Sequence, residues 1–167
     1  MTTSADPRAQ PSWRFVLSHP AHFISFGFGS GLFPGSPGTA GTLVAFPLYW
    51  LIAPHLTDAM FMLLLLAFFV IGVWLCDITG RALGVADYGG IVWDEIVAFM
   101  LVLFFTPAGW LWSLLAFSLF RFFDIAKPQP IKYFDQNLHG GFGVMFDDIL
   151  AAGYALLCMA VVKNLMF

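Results

Sequence analysis

Residues 59–76 read Ala-Met-Phe-Met-Leu-Leu-Leu-Leu-Ala-Phe-Phe-Val-Ile-Gly-Val-Trp-Leu-Cys, an apolar run without a single charge. A helix of about 20 apolar residues crosses the ~30 Å hydrocarbon layer of a bilayer, so this stretch predicts a membrane span. Composition points the same way. The 167 residues are 60% hydrophobic and 10% charged, with 20 phenylalanines, against about 45–50% apolar and 25% charged in a soluble domain. Too few polar side chains remain to clothe a domain of this size in water. A soluble globular enzyme, a disordered chain and a nucleic-acid binder, which needs a basic stripe, are excluded.

Upstream of this span, residues 15–57 are also free of charge, but Gly27, Gly29, Gly31, Pro34, Gly35, Pro37, Gly38 and Gly41 break them. The pattern predicts a short amphipathic segment at Pro20–Phe26 lying in the membrane interface, a Gly/Pro loop, and a helix at Thr39–Leu56 that could cross. Residues 1–18 read as a flexible polar N-terminus without the features of a signal peptide, and 19–167 as one membrane-embedded domain. Downstream, a polar stretch runs from Asp77 to Glu95, and residues 96–120 are again uncharged but interrupted at Thr106-Pro107-Ala108-Gly109. That interruption makes either one kinked span or a hairpin of two shorter helices. A last helix is expected over Asp147–Phe167.

Charge asymmetry favours the hairpin. With it, Arg8, Arg14, Arg81, Arg121, Lys127 and Lys132 fall on one side of the membrane and Lys163 alone on the other. Basic loops stay in the cytoplasm, which puts that side there. The expected fold is therefore all-α: a polytopic integral membrane protein of about four to five transmembrane or half-membrane helices plus an N-terminal interfacial helix.

The acids gather at the expected helix ends: Asp94 and Glu95 beginning one helix, Asp124 ending the next, Asp147 and Asp148 beginning the last, with Asp77 and Asp87 flanking a loop. A single carboxylate at a helix start needs no function, because it suits the helix dipole. Adjacent acids at a membrane boundary repel each other, and a cation offsets that cost. Hard oxygen donors suit Mg²⁺ together with substrate phosphate. Arg121 and Lys127 beside Asp124 are either counter-ions or anion clamps. The glycine runs Gly27–Gly31, Pro37–Thr42 and His139–Gly143 lead toward helix starts, where backbone amides can hold an anion. His139 is the one histidine placed near the acids. Cys76 and Cys158 sit in apolar runs as small core residues, and no thiol or His cluster suggests a soft-metal site.

These residues stand in motifs that resemble the phosphatidylglycerophosphatase A family of bacterial membrane lipid phosphatases. The likeness runs from about His19 to Gly153, through Gly27-Phe-Gly-Ser-Gly31, Pro37-Gly-Thr-Ala-Gly41, Ile91-Val-Trp-Asp-Glu95, Phe120-Arg-Phe-Phe-Asp124, Lys127-Pro-Gln-Pro-Ile131, Phe134-Asp-Gln-Asn137 and His139-Gly-Gly-Phe-Gly143 with Asp147-Asp148. The resemblance implies Mg²⁺-dependent removal of the terminal phosphate of phosphatidylglycerol phosphate, giving phosphatidylglycerol and inorganic phosphate, in phosphatidylglycerol biosynthesis at the bacterial cytoplasmic (inner) membrane. It implies Asp94, Glu95, Asp124, Asp147 and Asp148 as the catalytic and Mg²⁺-binding set, with Gly38, Thr39, Arg121, Lys127 and Lys132 on the phosphate and headgroup. Attack by water and attack by an aspartate both remain open. Two other classes fit less well. A CDP-alcohol phosphotransferase needs a second Asp-x-x-x-Asp, where Asp147 is followed at that spacing by Ala151, and a transporter wants acids deep in its spans or internal repeats.

Overall fold

A computed structural model describes residues 11–85 and 87–166, and among them every regular element is a helix. Arg8 and most of the expected flexible N-terminus lie outside the described residues. Two short helices, α1 (Trp13–Val16) and α2 (Pro20–Ser25), lead through a 3₁₀ segment at Gly27–Leu32 to α3 (Pro37–Ile52). Then come α4 (Asp58–Leu83), α5 (Trp93–Phe105), α6 (Trp110–Ala126), α7 (Ile131–Asn137) and α8 (Gly140–Met166).

Local chemistry explains the ends. Proline occupies the first helical position of α3, where its missing N–H costs nothing. The Thr57 hydroxyl caps α4 by accepting from the Met60 amide, and Gly84 closes it in the left-handed conformation at φ 72°. The break between α5 and α6 falls at Thr106–Gly109, with Gly109 at φ 127°, so the hairpin is the arrangement adopted.

Several boundaries differ from the sequence expectation: helix α1, with Val16 buried, falls inside the stretch read as a flexible N-terminus, α3 runs from Pro37 to Ile52 rather than from Thr39 to Leu56, and α4 and α8 differ most. Helix α4 continues through Asp77 to Leu83, because Asp77 and Arg81 pair one turn apart on its surface at 2.7 Å. Helix α8 begins at Gly140 rather than Asp147, so Asp147 and Asp148 lie two turns inside it. The glycines that read as a loop are instead a contact surface. A Cβ at Gly141 would run into the Val73 carbonyl and the Asp77 amide of α4, and one at Gly72 would meet Met145 and Trp93 at 2.8 Å. Small residues let membrane helices approach this closely.

Helices α4 and α8 are each long and apolar enough to cross a membrane. Leu63, Leu66, Val70 and Trp74 recur along one face of α4 and are between 59% and 65% exposed, an apolar stripe that suits lipid rather than water. Helix α5 is buried from Trp93 through Met100 and forms the centre of the core. Segment α2, expected to lie in the membrane interface, packs inward as well: His22 is 7% exposed, and its Nδ1 lies 3.0 Å from the Thr79 hydroxyl, which donates to Ser25. Burial, aided by the neighbouring His19, holds the His22 pKa below its ordinary value. The basic residues of the described chain other than Lys163 belong to the end of the bundle that carries the acids, whereas Lys163 lies beside Phe105 and Pro107 at the hairpin turn.

The α4–α8 contact predicts opposite effects from two glycines of one helix. Gly141→Val overpacks the contact and costs about 1–3 kcal/mol, lowering the unfolding temperature in detergent. Gly153, with open space around it, tolerates alanine and gains up to about 1 kcal/mol of helix propensity. Equal responses of the two variants contradict the packing described.

Candidate active site

The first turn of α5 is fixed from two directions. The Val92 amide donates to the Ser25 carbonyl at 2.8 Å, and the Trp93 indole N–H donates to the Phe68 carbonyl at 3.2 Å. These bonds set the rotation of α5 and so the direction of Asp94 and Glu95. Helix α8 brings Asp148 to the same point. One carboxylate oxygen from each of Asp94, Glu95 and Asp148 lies within 4.8 Å of the others, and the three residues are 8%, 9% and 2% exposed. Asp94 Oδ1, Glu95 Oε2 and Asp148 Oδ2 are buried with no hydrogen-bond partner among the described residues. Orphaned carboxylate oxygens at such spacing carry both a desolvation cost and mutual repulsion, and a divalent cation relieves both. The donors are all hard oxygens, which suits Mg²⁺, Mn²⁺ or Ca²⁺ rather than a thiolate-seeking metal.

Arg121 forms the wall of this cluster. Its Nη1 donates to Asp124 Oδ2 at 2.5 Å, one turn along α6, and to Glu95 Oε1 at 3.3 Å. Its Nε is buried without a partner among the described residues, leaving a donor for an incoming acceptor. Gly38 in the first turn of α3 faces the same pair: a Cβ there would run into Glu95 Oε1 and come within 3.0 Å of both terminal nitrogens of Arg121. The absence of a side chain lets the N-terminus of α3, the positive end of its dipole, approach the acids. Thr39 follows it, half-buried.

Asp147 turns away from this trio. Its Oδ2 accepts from Lys127 Nζ, which also donates to Asp135 Oδ1 at 2.5 Å. Burial works against the ammonium, but its bonds to Asp135 and Asp147 outweigh that and push the Lys127 pKa above its ordinary value. Lys127 adopts the left-handed conformation at φ 40°, the turn that carries the chain from α6 toward α7. Asp147 also lines a cavity of about 70 Å³ with Asp87, Asp135 and His139. The five expected acids therefore divide: Asp94, Glu95 and Asp148 together, Asp124 on Arg121, and Asp147 on Lys127. Lys132 is exposed on α7 and makes no ion pair among the described residues. Asp135 was missing from the expected set although its motif was visible. Its eight-residue separation from Lys127 spans a proline turn and short α7, and neither gives a periodic signal.

A family model described as phosphatidylglycerophosphatase A matches residues 23–163. A phosphatidylglycerophosphatase A from Haemophilus influenzae is 44% identical over 154 residues, covering 92% of this chain and 94% of its own. The protein of the same name from Escherichia coli is 43% identical, covering 83% and 80%. A Bacteroides thetaiotaomicron protein, provisionally named a phosphatidylinositol-3-phosphatase, is 36% identical over 84% of this chain and 91% of its own. No solved structure matches the chain.

If the carboxylate trio holds a cation, Mg²⁺ or Mn²⁺ raises the unfolding temperature of the detergent-solubilised protein in a concentration-dependent way. Asp94→Asn, Glu95→Gln and Asp148→Asn each abolish that increment. Asp135→Asn, linked to the trio only through Lys127 and Asp147, weakens it by about 10–100-fold in apparent affinity at most. An increment that survives all three trio substitutions places the cation elsewhere.

Proposed function

The chain belongs to the phosphatidylglycerophosphatase A family, and on that premise we propose that it hydrolyses the terminal phosphomonoester of phosphatidylglycerol phosphate. The products are phosphatidylglycerol and inorganic phosphate, the cofactor is Mg²⁺, and the site faces the cytoplasm from the bacterial inner membrane. The observation that carries this proposal is the trio Asp94, Glu95 and Asp148 set against Arg121 and the N-terminus of α3. Metal-assisted hydrolysis of a phosphate monoester uses both: carboxylates for a cation, and donors for the phosphoryl oxygens.

In this scheme Asp94, Glu95 and Asp148 hold Mg²⁺, which when bound neutralises phosphoryl charge and activates the attacking water. Arg121 donates to the phosphate from a guanidinium held in place by Asp124 and Glu95. The Gly38 and Thr39 amides add donors from the first turn of α3, and Lys132 meets the headgroup from the rim. Asp147, oriented by Lys127, keeps a free carboxylate oxygen to orient water. Water is the nucleophile in this scheme, because Asp94 and Asp148 are committed to the cation, Asp124 to Arg121 and Asp147 to Lys127. The fold crosses the bilayer four to five times, through α3, α4, the α5–α6 hairpin and α8. A cytoplasmic placement of the acid-bearing end follows from its basic residues.

The test is phosphate release from phosphatidylglycerol phosphate in detergent micelles, with Mg²⁺ and with EDTA. Release requires Mg²⁺ and falls at least ~10²-fold in Asp94→Asn, the scale for removing one preorganised charge-stabilising group. Phosphatidylinositol-3-phosphate, assayed in parallel because of the Bacteroides relative, is the slower substrate. Release that is indifferent to EDTA and to Asp94→Asn contradicts the proposal.

A further inference from the structure

Helices α3 and α6 flank a groove of about 770 Å³ whose walls are Leu43, Phe46 and Trp50 on one side and Trp110, Leu114 and Phe117 on the other. Phe99 of α5 packs behind these walls, with ring centroids 5.1 Å from Phe46 and 5.8 Å from Phe117. Most of a membrane protein's outer surface is apolar, so an apolar groove alone says little. What distinguishes this one is where it leads. Gly38, Thr42, Phe46 and Trp50 recur every fourth residue along one face of α3. Trp110, Leu114, Phe117 and Arg121 do the same at intervals of three and four along α6. At the far end of both series Gly38 lies against Arg121 and Glu95. The groove lining therefore begins at Leu43 and Phe117, about 6–8 Å along the helix axes from Gly38 and Arg121, and runs from there toward Trp110 at the hairpin turn.

Depth suits one kind of occupant. From Gly38 at the phosphate site to Trp50 at the groove's far end α3 rises about 18 Å, close to half of the ~30 Å hydrocarbon thickness, and the groove wall from Leu43 to Trp50 takes about 10 Å of it. We propose that this groove seats an acyl chain of the lipid substrate, entering sideways from the bilayer between α3 and α6 while the phosphate lies at Arg121. The inference rests on the phosphatase reading for the identity of the headgroup, but its evidence is the groove and its nearness to the site along the same two helices.

Ser113 lines the groove and takes no part in the phosphate site, so Ser113→Trp fills the groove without touching the acids. Leu43→Trp does the same from the α3 side. Kinetics of each variant are compared on long-chain phosphatidylglycerol phosphate and on its deacylated headgroup, glycerophosphoglycerol phosphate. The long-chain KM rises at least ~10-fold, the scale of losing a few buried methylenes, with kcat unchanged, while the deacylated substrate keeps its KM. Equal effects on both substrates, or none on either, overturn the proposal. A second measurement does not depend on the variants' folding or on turnover: a phosphatidylglycerol phosphate carrying a diazirine near the end of one chain is photolysed with the wild-type protein. Labelling concentrates within residues 43–50 and 110–117. Labelling spread evenly over the lipid-facing stripe of α4 overturns it. If the wild type labels in the groove yet releases no phosphate, the phosphatase reading fails and the acyl site stands. If it releases phosphate while variants and label ignore the groove, the acyl site fails alone.

Discussion

The repulsion among Asp94, Glu95 and Asp148 is the constraint around which the rest of this molecule is arranged. Three carboxylates, almost sealed from solvent, meet where α5 and α8 come together. Such a cluster survives only when its neighbours supply positive charge and hold the backbone firmly enough to prevent the acids from separating. Arg121 supplies charge on one side, and the first turn of α3 approaches on another because Gly38 has no side chain. Lys127 removes Asp147 from the group by pairing it with Asp135. What remains unmatched are single oxygens of Asp94, Glu95 and Asp148, and one of Asp147 outside the trio; the deficit of the trio is one that a divalent cation would fill.

The supporting structure is built for rigidity at that point and for lipid elsewhere. Core helix α5 is anchored at its first turn by backbone and indole hydrogen bonds to α2 and α4, and α8 is drawn against α4 through Gly141 and Gly72. Away from the site, α4 turns an uninterrupted apolar stripe outward. A lipid substrate asks for this division: a charged pocket at one end of the bundle, and hydrocarbon-compatible walls along its length. The groove between α3 and α6 begins about one helical turn from the first and runs along the second.

Much of this was legible in the sequence, and the exceptions have physical reasons. The hairpin was readable because Pro107 and Gly109 interrupt the apolar run and the distribution of basic residues favours two arms over one kinked span. The pairing of Asp94-Glu95 with Arg121 and Asp148 was readable because acids are too costly in an apolar chain to be incidental. The start of α8 was not, since Gly140 and Gly141 look like loop residues until α4 is in place to need them, and Gly143 until the Leu138 carbonyl is. The separation of Asp147 from Asp148 was equally hidden. Neighbours in sequence point about 100° apart on a helix, and only the position of Lys127 decides which of the two faces the cluster. Lys132, grouped with Lys127 by charge alone, is exposed on α7 instead.

The central claim, that α5 and α8 together form a cation site beside Arg121, is tested most directly by anomalous diffraction from crystals of the protein grown with Mn²⁺. The account predicts a peak bounded by carboxylate oxygens of Asp94, Glu95 and Asp148. A peak bounded instead by Asp87, Asp135 and Asp147, or none at the trio while Mn²⁺ is bound elsewhere, would contradict it.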